Sequence, residues 1–428
     1  MTDAPRVRVP LGARIRGTFA DPVLRSLTIA TLISTVGRGI SLTLVVLYLS
    51  LVAGLPADQV ALVFAIGSGI GIGASYLGGH LADTISARWL LVGGVVLAGL
   101  ALAAVAFVTE FWAAVVTETL VSVALGTNGS VRSAIIARAF SAEARVTSRA
   151  VLRTVTNVGI TIGTGVGAIA LALESAEAYR AILVVGGVAY AASALLLVRL
   201  PASVDAPRRE ERAADAAEPD APATEPDAVG AARGPWRDPR YLLFSVLAAV
   251  FAIQFVVLNV GIPLWVAHDT AAPEYLVSIM FVVNTVLVIA LQVPLSRGTH
   301  DLRRAGDVTA VAGVLMALGC VLYGAAAGIP VLGAVVLLIA ASVLHALSEV
   351  LSQAGAWGLS YELADPRRPG AYQGMYSMAF AVASMVGPLI ITWTAITLGF
   401  VGWVILAAMF LVAAAGVTII ARRAARHV

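Results

Sequence analysis

From about residue 26 to residue 421 the chain is a succession of long apolar runs separated by short polar turns, with one extended polar interruption near the middle. The runs predict helices at 26–52, 58–80, 88–108, 111–138, 150–173 and 180–200, then at 240–266, 275–295, 308–327, 330–360, 372–395 and 399–421. Each reaches about 20 residues or more, enough for a helix to cross a hydrocarbon layer roughly 30 Å thick. A spanning strand needs only about ten residues, so the pattern favours a helical bundle over a barrel.

The interruption contains "REERAADAAEPDAPATEPDA", almost empty of large apolar groups, and reads as a flexible aqueous linker. It divides the chain into a six-helix unit at 1–200, a linker at 201–239 and a second six-helix unit at 240–428. The expected fold class is therefore an all-α membrane protein of twelve transmembrane helices in two pseudo-symmetric six-helix bundles. A faint repeat supports the halves. Gly163 in "TVTNVGITIGTGVGAIA" corresponds to Gly387 in "MYSMAFAVASMVGPLII", and Asp83 after the second run corresponds to Asp301 after the eighth. Two similar bundles are what a transporter needs to rock about a central site.

Composition agrees with the pattern. The 428 residues are 59% hydrophobic and 12% charged, with mean hydropathy +0.92, whereas a soluble domain is about a quarter charged. All 28 basic residues are arginine. Arg6, Arg8, Arg14, Arg16, Arg88, the stretch from Arg138 to Arg153, the linker, Arg297, Arg303, Arg304, Arg367, Arg368, Arg422, Arg423 and Arg426 all fall on one side of a twelve-helix count. The opposite turns carry Asp58, Glu110, Glu174, Glu177, Asp269 and Glu274, with Arg180 the only arginine nearby. Positive charge marks the cytoplasmic side, so both termini and the linker are expected there, in a cell inner membrane or plasma membrane. The first run is preceded by no short apolar core with a cleavage site, and is expected to stay as the first helix.

The net charge of +3 is scattered along a rim without an aromatic platform and gives no nucleic-acid signal. Cys320 is the sole cysteine, so no intrachain disulfide or cysteine zinc site is available. No metal cluster or Ser-His-acid order stands out, and a chain without lysine has no phosphate-binding lysine. Neither cofactor, metal nor enzyme activity is expected. "GSGIGIG" at 67–73 continues a helix and lacks dinucleotide spacing, and "NGS" at 128–130 lies inside the fourth run, where glycosylation is not expected.

Charged groups inside apolar runs are the candidate chemistry, because each is costly in hydrocarbon unless paired, protonated or facing water. Glu349 has two readings, a proton-coupling or substrate-binding carboxyl and a structural intramembrane bond, and His345 one turn away either shares that duty or packs between helices. Glu118 in the fourth run reaches either the outer aqueous surface or a cavity. Arg38, the only charge in the first run, is a cavity residue or carboxylate partner unless it snorkels. Arg132 is a coupling candidate or a cytoplasmic anchor. Gln254, Asn259, Asn284, Gln353 and Trp357 either line an apolar pocket or bridge helices.

The second turn, "GGHLADTISAR", resembles the signature loop of the major facilitator superfamily, matched at Gly79, Asp83 and Arg88, with Thr84 in place of a base and Ser86 in place of a glycine. "GITIGTGVGA" resembles the glycine-rich signature of that superfamily's bacterial drug:proton antiporters at Gly159, Gly163 and Gly167, with Thr164 where that signature has proline and Ala168 where it has glycine. The eleventh run keeps a Gly387-Pro388 pair. Ser122 stands where the family often has an arginine. "LRTVTNVG" is similar to the start of the fifth helix of exporter-like members and nominates Arg153 and Asn157, while "SEVLSQAG" resembles an acidic segment of the same group.

This resemblance implies proton-coupled, alternating-access export of a small, partly apolar organic compound. Asp83, Arg88, Arg153, Gly163, Gly387 and Pro388 are then gating residues, and the Asp83 latch is expected to open as the cytoplasmic side closes. Partners would be the cargo, protons and membrane lipids, with a monomer as the working unit. The rival readings are metabolite uptake or facilitated exchange, and a scaffold or sensor that does not transport.

Overall fold

The computed structural model describes residues 21–206 and 234–426. Among these are twelve helices long and apolar enough to cross a membrane: α1 (Pro22–Val52), α2 (Ala57–Ala82), α3 (Ala87–Val105), α4 (Phe111–Ala139), α5 (Ala142–Ala172), α6 (Ala176–Leu197), α7 (Pro239–Asp269), α8 (Leu276–Leu295), α9 (Leu302–Ala325), α10 (Val331–Glu362), α11 (Pro369–Thr397) and α12 (Phe400–Ala424). Every predicted run becomes one of them. The clearest shift is α5, which begins at Ala142 instead of near 150. Polar residues mark where hydrocarbon ends, whereas the helix continues through Arg145 and Arg149 because nothing before Ser141 breaks its backbone bonding.

Caps explain the chain's turns. Asp21 accepts from the backbone N–H groups of Val23 and Leu24 and starts α1. Ser86 caps α3 through the Trp89 N–H, and Asp301 caps α9 through the Arg304 N–H. A glycine at positive φ, Gly399 at 57°, turns the chain between α11 and α12. Wide turns of π-helix end α1 at Tyr48–Val52, interrupt α7 at Val257–Gly261 and end α11 at Thr392–Thr397, just beyond Pro388, which carries no N–H for the helix ladder.

The six helices of each half pack among themselves, and corresponding contacts recur. Gly163 of α5 lies against the Val36 carbonyl and Gly39 of α1, and Gly387 of α11 lies against Val256 of α7. Tyr48 at the end of α1 donates to the Ala106 carbonyl at 2.6 Å, and Trp265 near the end of α7 donates to the Tyr323 carbonyl at 2.7 Å. These are equivalent ties of the first helix of each half to the third. Outside, Leu195, Leu332, Leu389 and Val412 stand exposed where hydrocarbon would surround them.

An even number of helices puts residues 21 and 426 at the same end as the α2–α3 turn. That end also carries Arg138, Arg145 and Arg422, and is called the arginine-rich end below. The described ends of the expected linker are anchored there. Asp205 accepts from Ser86 Oγ and the Arg88 N–H at 2.9 Å each, and the Trp236 ring meets Tyr76 edge-on at 5.5 Å. Residues 207–233, which carry the linker motif, and Arg6, Arg8, Arg14 and Arg16 lie outside the described residues.

Candidate functional site: a central cavity closed at one end

At the arginine-rich end the two halves meet. Gly79 of α2 lies in backbone contact with Gly370 and Gly374 of α11, an approach that any side chain would block. Proline at the first turn of α11 favours that helix's start, but its N-cap, Arg368, makes no side-chain cap bond. Asp83, from the other half, supplies it. Its Oδ1 accepts from the Gly370 N–H at 2.8 Å and its Oδ2 from the Ala371 N–H at 2.7 Å, while Arg138 Nη2 of α4 donates to Oδ1 at 2.6 Å.

A carboxylate at a helix N-terminus is favoured by the helix dipole as well as by its hydrogen bonds. Asp83 is only 7% exposed, and burial raises its carboxyl above the ordinary value while the Ala371 N–H, Arg138 and the Gly370 N–H pull it down. The cost of desolvation thus offsets the gain from the three donors.

Arg88, also expected to gate, lies apart from Asp83: its guanidinium donates to the Leu200 carbonyl at 2.9 Å and lies over Trp89, because the start of α3 turns it toward the end of α6. The expectation that Asp83 lets go as this end closes is corrected: its contacts with α11 are made where the end is shut, since its acceptors reach across the line between the halves. Tyr361 of α10, donating to the Ser133 carbonyl of α4 at 3.5 Å, and Arg145 of α5, 3.7 Å from Glu362 of α10, add to the same closure.

Above the closed end lies a cavity of about 540 Å3 between the halves. The first half contributes Arg38, Arg132, Arg149 and Arg153; the second contributes Gln353, Trp357, Tyr376 and Phe380. At 1.5 Å per residue, Arg132 and Arg149 sit about 10 Å from the arginine-rich ends of their helices, and Arg38 about 24 Å. At the cavity's edge Arg153 Nη2 is 2.7 Å from Glu349 Oε1, an ion pair between α5 and α10, and Asn284 Nδ2 of α8 donates to Glu349 Oε2 at 3.1 Å. Glu349 is 1% exposed, so both its oxygens are satisfied where water is scarce. The structure thereby joins Glu349, Arg153 and Asn284 in one cross-half cluster.

Other expected residues lie apart from it. Glu118, half-buried on α4 against Gly67 of α2, accepts weakly from Ser122 Oγ at 3.4 Å and does not line the cavity. His345 is packed inside the second half, its Nδ1 3.4 Å from Tyr323 Oη. Gln254 donates to Ser352 Oγ at 2.9 Å within that half, and Asn259 is exposed and bonds its own helix at the Phe255 carbonyl. Asn157 lies half-buried on α5, where its carbonyl accepts from Thr161. Gly163 and Gly387 are intra-half packing positions, and Pro388 sits half-buried beside the latter.

Sequence reasoning passed over Arg138 and Arg149 as ordinary cytoplasmic charge. Arg149 hydrogen-bonds Ser133 Oγ and lies over the Trp357 and Tyr361 rings, at 5.6 and 5.9 Å. Its spacing of one turn from Arg153 was the available signal, because it puts both guanidiniums on one face of α5.

The fold is shared with solved structures of low identity: a human organic anion transporter, MFSD10 (TETRAN), is 16% identical, with 92% of this chain and 99% of that one covered and a TM-score of 0.67. The proton:xylose symporter XylE, solved with 6-bromo-6-deoxy-D-glucose, is 14% identical over 92% and 94% of the two chains, with a TM-score of 0.63. A bacterial homologue of the iron transporter ferroportin, solved in an outward-facing state, is 14% identical over 94% and 98%, with a TM-score of 0.71. No curated relative matches the sequence. At such identities the likeness is one of fold. The family profile of the Major Facilitator Superfamily matches residues 27–297, more than half of the sequence, and this chain is a member of that superfamily, a multi-pass membrane transport protein.

Proposed function

We propose that the chain exports a small organic compound by alternating access, in exchange for protons carried at Glu349. The observation that carries this reading is the Arg153–Glu349 ion pair, 2.7 Å long, which ties the halves together beside the cavity through a group that a proton neutralises. Units 1–200 and 240–428 are the rocking bodies and 201–239 joins them. The arginine-rich end faces the cytoplasm by the distribution of positive charge, with both termini there. The structure then corresponds to the state shut toward the cytoplasm.

In the proposed cycle, a proton arriving from outside neutralises Glu349 and releases Arg153. The cross-half bridge is lost, the Asp83 contacts with α11 break, and the cavity opens inward. There Glu349 loses its proton, cargo enters, the ion pair re-forms and Asp83 caps α11 again, leaving cargo to exit outward. Coupling requires that proton and cargo bias the same two-state equilibrium, which a bridge between the moving bodies provides.

The test is a substrate panel in proteoliposomes with internal pH recording, comparing the wild type with Glu349→Gln. The variant should bind cargo and lose cargo-driven proton movement. Unchanged proton movement with any transported compound would remove Glu349 from the coupling step, and equal movement in both directions without proton flux would favour facilitated exchange.

A further inference from the structure

Among the described residues, those lining the central cavity include four arginines and no aspartate or glutamate. Among the described residues Arg153 alone of the four has a carboxylate partner, Glu349. Arg149 is met by a neutral hydroxyl, Ser133, and by two rings. Among the described residues no carboxylate lies within ion-pair distance of Arg38 or Arg132, and Arg132 Nε is buried with no hydrogen-bond partner. Several arginines outside the cavity behave otherwise: Arg138, Arg145 and Arg422 each reach a carboxylate, on Asp83, Glu362 and Asp307, and the Arg88 guanidinium reaches the Leu200 carbonyl.

All four cavity arginines come from the first half, on α1, α4 and α5, and the wall opposite is neutral and aromatic, with Trp357, Tyr376 and Phe380. Like charges gathered in a chamber with low-dielectric walls repel one another, so they destabilise the empty site. The same walls focus their field on whatever enters. A negative group placed among them removes the repulsion and takes charge-assisted, forked hydrogen bonds that only guanidiniums offer. A cation would meet the opposite situation, and a neutral compound would leave the field uncompensated.

We infer that the cargo is an organic anion, a carboxylate, phosphonate or similar acid on an aromatic or apolar body, whose charged head is held by Arg38, Arg132 and Arg149 while its body lies against Trp357, Tyr376 and Phe380. This rests on the transport reading above and names its substrate class. Arg153 stays with Glu349 in the state shut at the arginine-rich end, so three guanidiniums face the head. The volume of about 540 Å3 accommodates a molecule of that kind.

The test uses the full chain in nanodiscs of zwitterionic lipid and equilibrium binding of four matched probes: naphthalene-2-carboxylate, naphthalene-2-phosphonate, the neutral carboxamide and the aminomethyl cation. At least one anion should bind tenfold or more tighter than the amide, in the range expected for a desolvated charge-assisted contact, and weaken as salt is added. Arg38→Gln and Arg132→Gln should each weaken that anion about tenfold and leave the amide within about twofold, with Arg132→Lys recovering part of the loss. If Arg132→Gln does not fold, Arg38→Gln carries the test, because the Arg38 side chain is exposed and lines the cavity. Equal or tighter binding of the amide or the cation, indifference of the anion to both arginine variants, or no saturable binding of either anion overturns the inference. The outcomes separate the two readings. Arginine-dependent anion binding without movement across liposomes sinks transport alone, and movement of a neutral or cationic probe in preference to the anions sinks the anion assignment alone.

Discussion

Asp83 and Gly370, 287 residues apart in sequence, are joined by a 2.8 Å hydrogen bond in which a carboxylate of one half caps a helix of the other. The cap lies on the dividing line between the bundles, so the proposed rocking has to break it.

The first prediction concerns that bond. Asp83→Asn keeps one acceptor oxygen but loses the charge that meets Arg138 and the α11 dipole, a loss of about 1–2 kcal/mol that shifts the shut-to-open ratio roughly 5- to 30-fold. Spin-label distances across the arginine-rich end should show a larger open population. Turnover should fall while cargo affinity changes little, and the reverse pattern would sink the latch assignment.

The partner of Asp83 gives a second, sharper prediction. Arg138→Gln should open the same end as Asp83→Asn does, and the double variant should be less than additive because the two side chains share one contact at 2.6 Å. Arg88→Gln should leave the open population unchanged, since Arg88 serves the Leu200 carbonyl. If Arg88→Gln alone moved the spin-label distances, the reassignment from Arg88 to Arg138 would be wrong.

A third prediction addresses the bridge. Arg153→Gln leaves the Glu349 carboxylate with Asn284 as its one remaining partner in a nearly dry position, whereas Arg153→Gln with Glu349→Gln removes both charges. Breaking one partner of a buried pair costs about 3–5 kcal/mol and removing both much less, so the double variant should melt above the Arg153 single variant. A melting temperature lower than that of both singles would show that the pair is not coupled as the geometry indicates.

The glycines provide a fourth prediction. A side chain at Gly163 would strike the Val36 carbonyl and Gly39, but at Gly165, half a turn away, it would meet nothing within 4 Å. Gly163→Ala should therefore destabilise the protein by about 1–3 kcal/mol, the usual cost of overpacking, and Gly165→Ala should be neutral or slightly stabilising in thermal unfolding.

Much of this molecule was readable in one dimension. Twelve apolar runs announced twelve helices, and intramembrane charge singled out Glu349, Arg38 and Arg132 before any contact was known. Arg153 entered through the resemblance of its segment, and Asp83 through a loop signature that survived without its usual base and glycine. Its missing glycine proved to be Ser86, which caps α3 and binds Asp205. Other assignments could not be made that way. His345 read as a coupling residue or a packing one, and Gln254 as a cavity residue or a bridge between helices, and both face the interior of their own half. Arg138 and Arg149 read like surface charge because they sit near helix ends, yet one pairs with Asp83 and the other lines the cavity.

Partition into hydrocarbon is a sum over neighbouring residues, so the sequence by itself determined the helices, their number, the grouping of arginines at one end and the charges that must find shelter. Which shelter each found depends on helix rotation and on which faces meet across the bundle, a property of residues hundreds of positions apart. Only the tertiary structure therefore decided that Asp83 closes on α11, that Glu349 answers Arg153, and that Arg38, Arg132 and Arg149 face one cavity without a carboxylate among its lining residues.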